Sequence, residues 1–471
     1  VVTTANYAAT LAHSGVLLSG EERKQRILGE AAKLLPPGTQ LKSDDALLAT
    51  LAGITEYPTP ILGSFEESYL KLPAEVLVTV MRHHQKYFSV ETAEGKLAPH
   101  FVAVMNTHAD PDGLVRHGNE RVLRARFNDA RFFYDTDQKK PLRDRVADLA
   151  NVTFQAQLGS YLAKTERVVA LVTELGGSAE AQEAARLAKT DLTTEMVKEF
   201  TELQGQIGGL YAEAQGHSRA VGRAIYEHYK PVSMEDTVPS TVEGQILSLA
   251  DKVDTLRGCF RIGMIPKGSS DPFALRRAAQ GVVKILVEGQ LTLTVPQLTA
   301  GDPALEGFLR DRVDYYFREI RGFGYDEVNA VLAAGWTDLK DVLARLEAVK
   351  GVRATADFEP LAAAFKRIKN ILKQAQFEGA GAVEEGRLEA GAEQDLYREY
   401  ARVKEAAAAA SGYGEKLSAI ATLRPAVDAF FDQVMVNVED AAVRRNRLTL
   451  LRSLLTEFST LADFSEIVTK S

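Results

Sequence analysis

The sequence has one cysteine, Cys259, in 471 residues. A single thiol excludes an internal disulfide, and this scarcity of cysteine is typical of a reducing compartment. The sequence also lacks any apolar run that approaches the roughly 20 residues of a membrane span. No secretory signal is visible, although the chain begins at Val1 and not at a methionine. We therefore expect a cytoplasmic protein that does not enter a membrane.

Positive charge is scarce as well. The 56 lysines and arginines are outnumbered by 64 acidic residues, so the formal net charge is −8. A nucleic-acid-binding protein with an acidic total must concentrate its positive charge locally. The phrase Pro266–Ser270 is rich in glycine and serine but lacks the spacing of a phosphate-binding loop. Hydrophobic residues make up 45% of the chain, enough for packed cores, and the length suits about three domains.

Residues 1–150 are predicted to mix helices and strands. A helix is expected from Glu21 to Leu35, and Ser43-Asp44-Asp45 is expected to cap the next one. Two β-rich runs flank a turn at Glu94-Gly95-Lys96 and predict a hairpin, whose first strand would include His83 and His84. The spacing of Val122, Ala125 and Asp129 then predicts a helix.

The remainder is predicted to be mainly helical. Asp271 followed by Pro272 indicates a helix start, since aspartate caps and proline at the first position loses no needed donor. Turns are expected at Gly322-Phe323-Gly324 and Gly335-Trp336, and residues 378–394 are expected to form an acidic, glycine-rich loop. The fold class is therefore mainly α and multidomain.

Three short phrases resemble the metal-binding motifs H-x-x-R-V, L-H-D and A-D of HD-type phosphohydrolases. They begin at Lys164, at Lys189 and at Ala250. Lys164 and Thr190 stand where the motif histidines would be, whereas the aspartates are kept as Asp191 and Asp251. A charged lysine cannot ligate a metal, and two aspartates are too few ligands.

His228 could add one nitrogen, but a lone histidine beside Tyr229 is more often structural. We therefore expect a helical HD-like scaffold without a metal.

The C-terminal region carries two groups of candidate RNA-binding cations. Lys366, Lys369 and Lys373 share one helix face beside Arg367 and could contact phosphates, or could simply form a solvated face. Further along, Arg445 and Arg452 should point away from a core face formed by leucines 448, 451 and 455. The neighbouring Arg444 and Arg447 are expected to pair with Glu439 or Asp440.

Three more places could contact RNA. Lys86 could bind a phosphate and Tyr87 could stack on a base, or both could belong to a half-buried strand. Arg121 and Arg124 share a helix face and could meet RNA or a partner subunit. Arg276 and Arg277 could bind RNA, or Arg276 could join Asp271 in organising a helix start. We find no candidate catalytic residue.

Several phrases together resemble the beta subunit of bacterial tetrameric glycyl-tRNA synthetase over essentially the whole chain. They are the degenerate HD positions, His83–Phe88 and Asp271–Arg277. The last module resembles the DALR-type anticodon-binding helical bundle in Leu423–Asp432, in Val434-Met435-Val436 and in Arg444–Leu448. Family beta chains are longer, so the resemblance implies that this chain corresponds to their C-terminal two-thirds.

The resemblance implies a tRNA-binding subunit in an α2β2 enzyme. The alpha subunit would activate glycine with ATP and Mg²⁺, and this chain would bind glycine tRNA without a cofactor or catalysis of its own. No class II motif array and no KMSKS motif occur in the sequence. The expected domains are an α+β region that contacts tRNA or a subunit, a degenerate HD-like domain, a helical connection and an anticodon-binding domain, at residues 1–150, 151–300, 301–360 and 361–471. The alternatives are a metal-dependent HD phosphohydrolase and a non-enzymatic helical scaffold.

Overall fold

A computed structural model describes residues 3–353, 355, 358–379 and 381–468 of the chain. The fold is mainly helical with one small sheet, which confirms the predicted fold class. The chain divides into two compact units, residues 1–229 and 230–471. The four domain boundaries that the sequence suggested stay a prediction.

The first unit begins with a four-stranded antiparallel sheet and its helices. The spatial order of the strands is Thr39–Leu41, Phe88–Thr92, Leu97–Met105 and Thr59–Ser64. The helices of residues 1–150 are Tyr7–His13, Gly20–Leu34, Asp45–Ile54, Ala74–Thr79, Leu114–Asp137 and Leu142–Arg145, with short turns at Glu67–Lys71 and Ala147–Asn151. The predicted helix near Glu21, the hairpin and the cap by Asp44, which accepts from the Leu47 N–H at 2.9 Å, are confirmed.

One core joins this sheet to two helices. Ile27 and Ala31 of Gly20–Leu34 and Leu47 and Leu51 of Asp45–Ile54 pack against Val102 and other strand residues. All of them are buried. Successive side chains of a strand point to opposite faces of the sheet, so one face meets these helices. The consecutive burial of Phe101, Val102 and Ala103 shows that both faces of their strand are covered. Burial of such side chains is worth roughly 1.5–3 kcal/mol each.

The segment before the hairpin differs from the prediction. Ala74–Thr79 is α-helical and Val80–Gln85 continues it as a π-helical turn, so His83 and His84 lie on a helix and not on a strand. Lys86 ends this helix in the left-handed conformation, with φ 60°. The apolar run of this segment is compatible with the periodicity of a strand and with that of a helix. Packing against the rest of the unit favours the helix.

The long helix Leu114–Asp137 forms as predicted, but its buried face is a different one. Leu123, Phe127 and Ala130 are buried, whereas Val122 is 44% exposed. This helix has apolar residues on two sides, and the spacing that predicted the helix follows the side that is exposed.

A helical layer completes the first unit. Its helices are Tyr161–Glu174, Ala179–Leu187, Glu195–Glu199, Gln206–Ala214 and Arg219–Glu227, its short turns are Thr190–Thr193 and Thr201–Leu203, and the strands Thr153–Gln155 and Gly159–Ser160 form a small hairpin.

Asp137, at the end of the long helix Leu114–Asp137, connects that helix to the helical layer. Its carboxylate accepts from the backbone N–H groups of Glu195 and Met196, both at 3.0 Å, from Arg145 at 3.3 Å and from the Tyr211 hydroxyl at 3.2 Å. Burial, and then the nearby carboxylate, raise the pKa of Tyr211.

The second unit consists of helices throughout the part that the structure describes. They are Val242–Arg261, Leu275–Glu288, Val295–Thr299, Pro303–Tyr315, Tyr325–Ala334, Leu339–Arg353, Phe358–Gln374, Ala392–Ala409, Tyr413–Ala421, Arg424–Gln433 and Ala441–Phe458, with a π-helical turn at Tyr316–Ile320 and short turns at Glu385–Arg387 and Phe464–Glu466. The predicted turns near Gly322 and Gly335 and the loop before Ala392 are confirmed.

One helix start was predicted too early. The helix begins at Leu275, not at Pro272, and follows Ala274 in the left-handed conformation. Asp271 still caps it from a distance, because its carboxylate accepts from the N–H groups of Leu275 at 2.8 Å and Arg276 at 2.9 Å.

The chain end packs back on the connecting helices of the second unit. Arg345 donates to the carbonyls of Val331 at 3.1 Å and Leu461 at 3.2 Å, and the Asp463 N–H donates to Ala330 at 2.8 Å. The last module therefore shares contacts with residues 325–353 and is not an independent appendage. Among the described residues, none of the helices combines the length and apolar character that crossing a bilayer requires.

We expect Asp137→Ala to lower the stability of the first unit by about 3 kcal/mol, because Arg145 would be left buried without its carboxylate. The midpoint of urea-induced unfolding measures this loss. Asp135→Ala is the matched control, since Asp135 is exposed on the same helix and its removal should cost no more than about 0.5 kcal/mol. Equal midpoints for the two variants would contradict the role given to Asp137.

Candidate functional site

The degenerate HD positions of the first unit are all buried. Lys164 lies on Tyr161–Glu174 and is 2% exposed, and Thr190, Asp191 and His228 are fully buried. The Lys164 ammonium lies 4.6 Å from the centroid of the Phe154 ring. Asp251 lies on Val242–Arg261, which belongs to the second unit.

His228 has both ring nitrogens engaged. Its Nδ1 lies 2.6 Å from the Ile225 carbonyl, and its Nε2 lies 2.8 Å from the Lys189 ammonium. The carbonyl can only accept and the ammonium can only donate, so the ring donates from Nδ1 and accepts at Nε2. Its one lone pair is therefore used by a lysine, which supports the structural interpretation of His228.

Asp191 is held by the backbone. One carboxylate oxygen accepts from the N–H groups of Gly205 and Gly208. A Cβ on Gly205 would lie 2.8 Å from the Tyr229 ring, so only glycine allows this approach. Burial raises the pKa of Asp191 to about 6 in spite of these bonds and the positive charge of Lys189. An ammonium group thus supplies the positive charge beside this aspartate.

The described part of the chain places no group of three or more His, Cys, Asp or Glu side chains where they could hold a metal ion. The Nε2 atom of His228 and the Oδ2 atom of Asp191 are engaged by protein groups, whereas Asp191 Oδ1 is buried without a hydrogen-bond partner among the described residues. That this chain binds neither metal nor cofactor stays a prediction.

The cations of Phe358–Gln374 divide into two kinds. Lys366 and Lys373 are exposed, as predicted. Lys369 is not free for a phosphate, because its ammonium binds the Asp463 carboxylate at 2.7 Å and the Ser465 hydroxyl at 2.9 Å. Burial raises the pKa of Asp463, but the hydrogen bonds from Lys369 and Ser465 outweigh it and lower that pKa. The predicted three-lysine stripe is corrected to two exposed lysines.

Arg367 of the same helix borders a cavity of about 570 Å³, which we call the Phe431 cavity. Its guanidinium lies 4.2 Å from the centroid of the Phe431 ring. Apolar and amide side chains share the lining, and the residues are Arg367, Ile371, Gln374, Ala375, Phe431, Asp432, Gln433, Val434, Met435, Val436, Asn437, Arg444 and Leu448. Such a lining offers a stacking surface together with hydrogen-bonding groups, which is what a nucleobase requires.

Two arginines of the last helix, Ala441–Phe458, bind backbone carbonyls in or next to the cavity lining. Arg447 is 3% exposed, and it donates to Glu393 and to the Met435 carbonyl, both at 2.8 Å, while Glu389 also lies at 2.8 Å. Arg444 donates to the Val438 carbonyl at 2.9 Å. The predicted pairing of these arginines with Glu439 or Asp440 is wrong, because Asp440 instead caps the helix through the N–H groups of residues 442 and 443.

Arg445 and Arg452 are exposed on Ala441–Phe458, opposite to the buried Leu448 and Leu451. Leu455 of the predicted core face is only half-buried, and Leu454 takes its place in the core. The two arginines stay candidates for phosphate contacts.

Among the candidates of the first unit, Tyr87 is buried and Lys86 is exposed. Tyr87 is 6% exposed, stacks on Phe101 at 4.8 Å and donates to Asn119, so its predicted stacking on an RNA base is wrong. Burial raises the pKa of Tyr87 to about 12. Lys86 is exposed and donates to the His83 carbonyl at 2.8 Å.

Arg121 and Arg124 are exposed on the long helix, and Arg124 lies 3.8 Å from Glu66. Their contact with RNA or a partner subunit stays a prediction.

Arg276 and Arg277 begin the helix Leu275–Glu288. Arg276 donates to the Gly268 carbonyl at 2.6 Å. Together with the bond from its N–H to Asp271, this contact organises the helix start, as the structural interpretation of Arg276 predicted. Arg277 is exposed.

Sequence reasoning missed the Phe431 cavity. Met435 is 73% exposed. The sequence offered one signal for this cavity, the apolar run Val434-Met435-Val436 directly after a helix end, but the run was used only as part of the resemblance to the DALR family.

Comparisons with known proteins cover both parts of the chain. Residues 1–333 match the family described as glycyl-tRNA synthetase beta subunit, and residues 361–463 match the DALR anticodon binding domain. The glycine–tRNA ligase beta subunit of Acidobacterium capsulatum is 49% identical, over 98% of this chain and 71% of the relative.

Those of Syntrophus aciditrophicus and Myxococcus xanthus are each 40% identical, over 99% and 98% of this chain and 71% and 70% of the relatives. The chain therefore belongs to the glycyl-tRNA synthetase beta subunit family.

Proposed function

We propose that this chain is the tRNA-binding subunit of a glycine–tRNA ligase and that its last module binds the anticodon arm of glycine tRNA. Its family membership and the DALR match to residues 361–463 support this role. The observation that carries it is the Phe431 cavity, which lies within the matched module and combines an arginine–aromatic pair with amide side chains.

The cavity suits an unpaired base. Bases of single-stranded loops can be splayed out, stacked on aromatic rings or guanidinium groups, and recognised through their polar edges. Here Arg367 and Phe431 provide the stacking surface, and Gln374, Gln433 and Asn437 provide donors and acceptors. Leu448 and Ile371 add apolar side chains to the lining.

Exposed cations lie on the same two helices that line the cavity. They are Lys366, Lys373, Arg445 and Arg452. Contacts of this kind to phosphates position RNA without selecting its sequence, so selection falls to the cavity. Local clustering of this kind lets a chain with net charge −8 bind a polyanion.

Glycine activation is assigned to a separate alpha subunit, which uses ATP and Mg²⁺, and we place the assembly in the cytoplasm. The phosphohydrolase alternative is disfavoured, because the lone pair of His228 is taken by Lys189 and Asp191 is bonded to the backbone. A scaffold without an RNA role is disfavoured by the match to an anticodon-binding domain.

We expect Arg367→Ala to weaken binding of glycine tRNA by about tenfold, since stacking of one base is worth roughly 1–3 kcal/mol. The same variant should lose the preference for glycine tRNA over a tRNA with altered anticodon bases. Affinities from filter binding at several salt concentrations test both effects.

Lys366→Ala is the matched control, because Lys366 is exposed on the same helix and does not line the cavity. It should keep the anticodon preference and reduce the salt slope by at most about one unit. An Arg367→Ala protein that still discriminates anticodon variants as the parent does would exclude the Phe431 cavity as the base site.

We also expect this chain alone to show no glycine-dependent exchange of pyrophosphate into ATP, and addition of the alpha subunit to establish the exchange. The sequence contains no class II motif array that would bind ATP. Exchange by the purified chain, free of alpha subunit, would refute this division of labour.

A further inference from the structure

A second polar cleft lies in the second unit, outside the residues matched by the anticodon-binding domain. It has a volume of about 700 Å³, and we call it the arginine cleft. Helices Leu275–Glu288, Pro303–Tyr315 and Tyr325–Ala334 line it, together with the π-helical turn. The lining residues that matter here are Arg276, Arg310, Arg312, Arg318 and Tyr315.

Three of these arginines are held in place. Arg276 is bonded to the Gly268 carbonyl at 2.6 Å, and Arg318 to Asp314 at 3.1 Å. The Arg312 guanidinium lies 4.8 Å from the centroid of the Phe308 ring. Arginines fixed in this way lose little side-chain entropy when an anion binds.

The carboxylates of the cleft do not cancel its positive charge. Asp314 is matched by Arg318, and Asp311 lies 3.9 Å from Arg312. Glu319 lies 3.9 Å from Arg318 and is more than half exposed. Arg310, which is exposed, and Arg276, which is bonded to carbonyls, are the arginines least compensated by these acids.

Exposed aromatic rings accompany the arginines. Tyr315 lines the cleft and is 41% exposed. Tyr325 is 60% exposed, and the Arg318 guanidinium lies 4.9 Å from its ring centroid. Guanidinium groups interleaved with accessible tyrosines are the combination with which proteins hold RNA, through phosphates and stacked bases.

We propose that the arginine cleft binds the phosphodiester backbone of tRNA outside the anticodon arm. The inference rests on the tRNA-binding role proposed above and adds a second contact region. Arg310 and Arg276 contact phosphates, Tyr315 packs on the exposed edge of the nucleotide, and the cleft selects no base sequence.

The test compares two RNAs with the full chain. One is glycine tRNA without its anticodon arm, and the other is the isolated anticodon stem-loop. Arg310→Glu should weaken binding of the armless tRNA by about tenfold and lower its salt slope by about one unit. The same variant should leave the affinity for the anticodon stem-loop unchanged.

Two variants control for charge and folding. Lys33→Glu makes the same change in total charge at a lysine that is 69% exposed in the first unit, and it should bind both RNAs like the parent. Arg310→Lys keeps the charge and should retain most of the affinity for the armless tRNA, and Tyr315→Ala should weaken it. Circular dichroism and urea unfolding should be the same for all four variants.

Equal binding of the armless tRNA by the parent and Arg310→Glu would overturn the inference while leaving anticodon recognition intact. A loss seen only with the anticodon stem-loop would assign the cleft to the anticodon site and overturn it as well. Displacement of the armless tRNA by millimolar ATP would show a nucleotide site in its place. If the parent binds none of these RNAs, the proposed function itself is wrong, and this inference falls with it.

Discussion

The buried Arg447 guanidinium is the interaction on which the candidate RNA site depends. It joins the last helix to Glu393 of Ala392–Ala409 and to the Met435 carbonyl, so one planar group connects three segments. The hydrogen bond with Glu393 raises the pKa of Arg447, which therefore stays charged in the interior. Lysine could not replace it, because a single ammonium lacks the fork that reaches several acceptors at fixed angles. A buried guanidinium thus fixes the position of Met435, which lines the Phe431 cavity.

A buried side-chain cation also organises the cluster of His228 and Asp191. In a metal enzyme the cation between a histidine and an aspartate is the metal ion, whereas here Lys189 lies beside both His228 and Asp191. The buried aspartate is further stabilised by two backbone N–H groups, one of them from a glycine that nothing larger could replace. The cluster is only partly satisfied, because Asp191 Oδ1 is buried without a hydrogen-bond partner in the described part of the chain.

The distribution of arginine explains how an acidic chain can serve as an RNA-binding subunit. Buried arginines such as Arg145, Arg345 and Arg447 work as structural connectors between elements. Exposed arginines occur along the whole chain, and two of them, Arg367 at the Phe431 cavity and Arg310 at the arginine cleft, border concave surfaces that also contain aromatic rings. Phosphate contacts provide affinity and a base pocket provides selectivity, and these two tasks need different side chains.

The sequence by itself determined the helical fold class, the caps at Asp44 and Asp271, the loop before Ala392 and the presence of Lys164 and Thr190 where the HD motifs they resemble have histidines. These features depend on residue types and local spacing, which are visible along the chain. The tertiary structure alone decided that residues 80–85 are helical, that the long helix buries Leu123 and Phe127, and that Tyr87 is inaccessible. It also decided that Lys369 pairs with Asp463 and that Arg447 pairs with Glu393, partners 94 and 54 residues away. Such long-range ion pairs, and the choice between two apolar helix faces, depend on which elements meet in space, and local pattern carries no information about that.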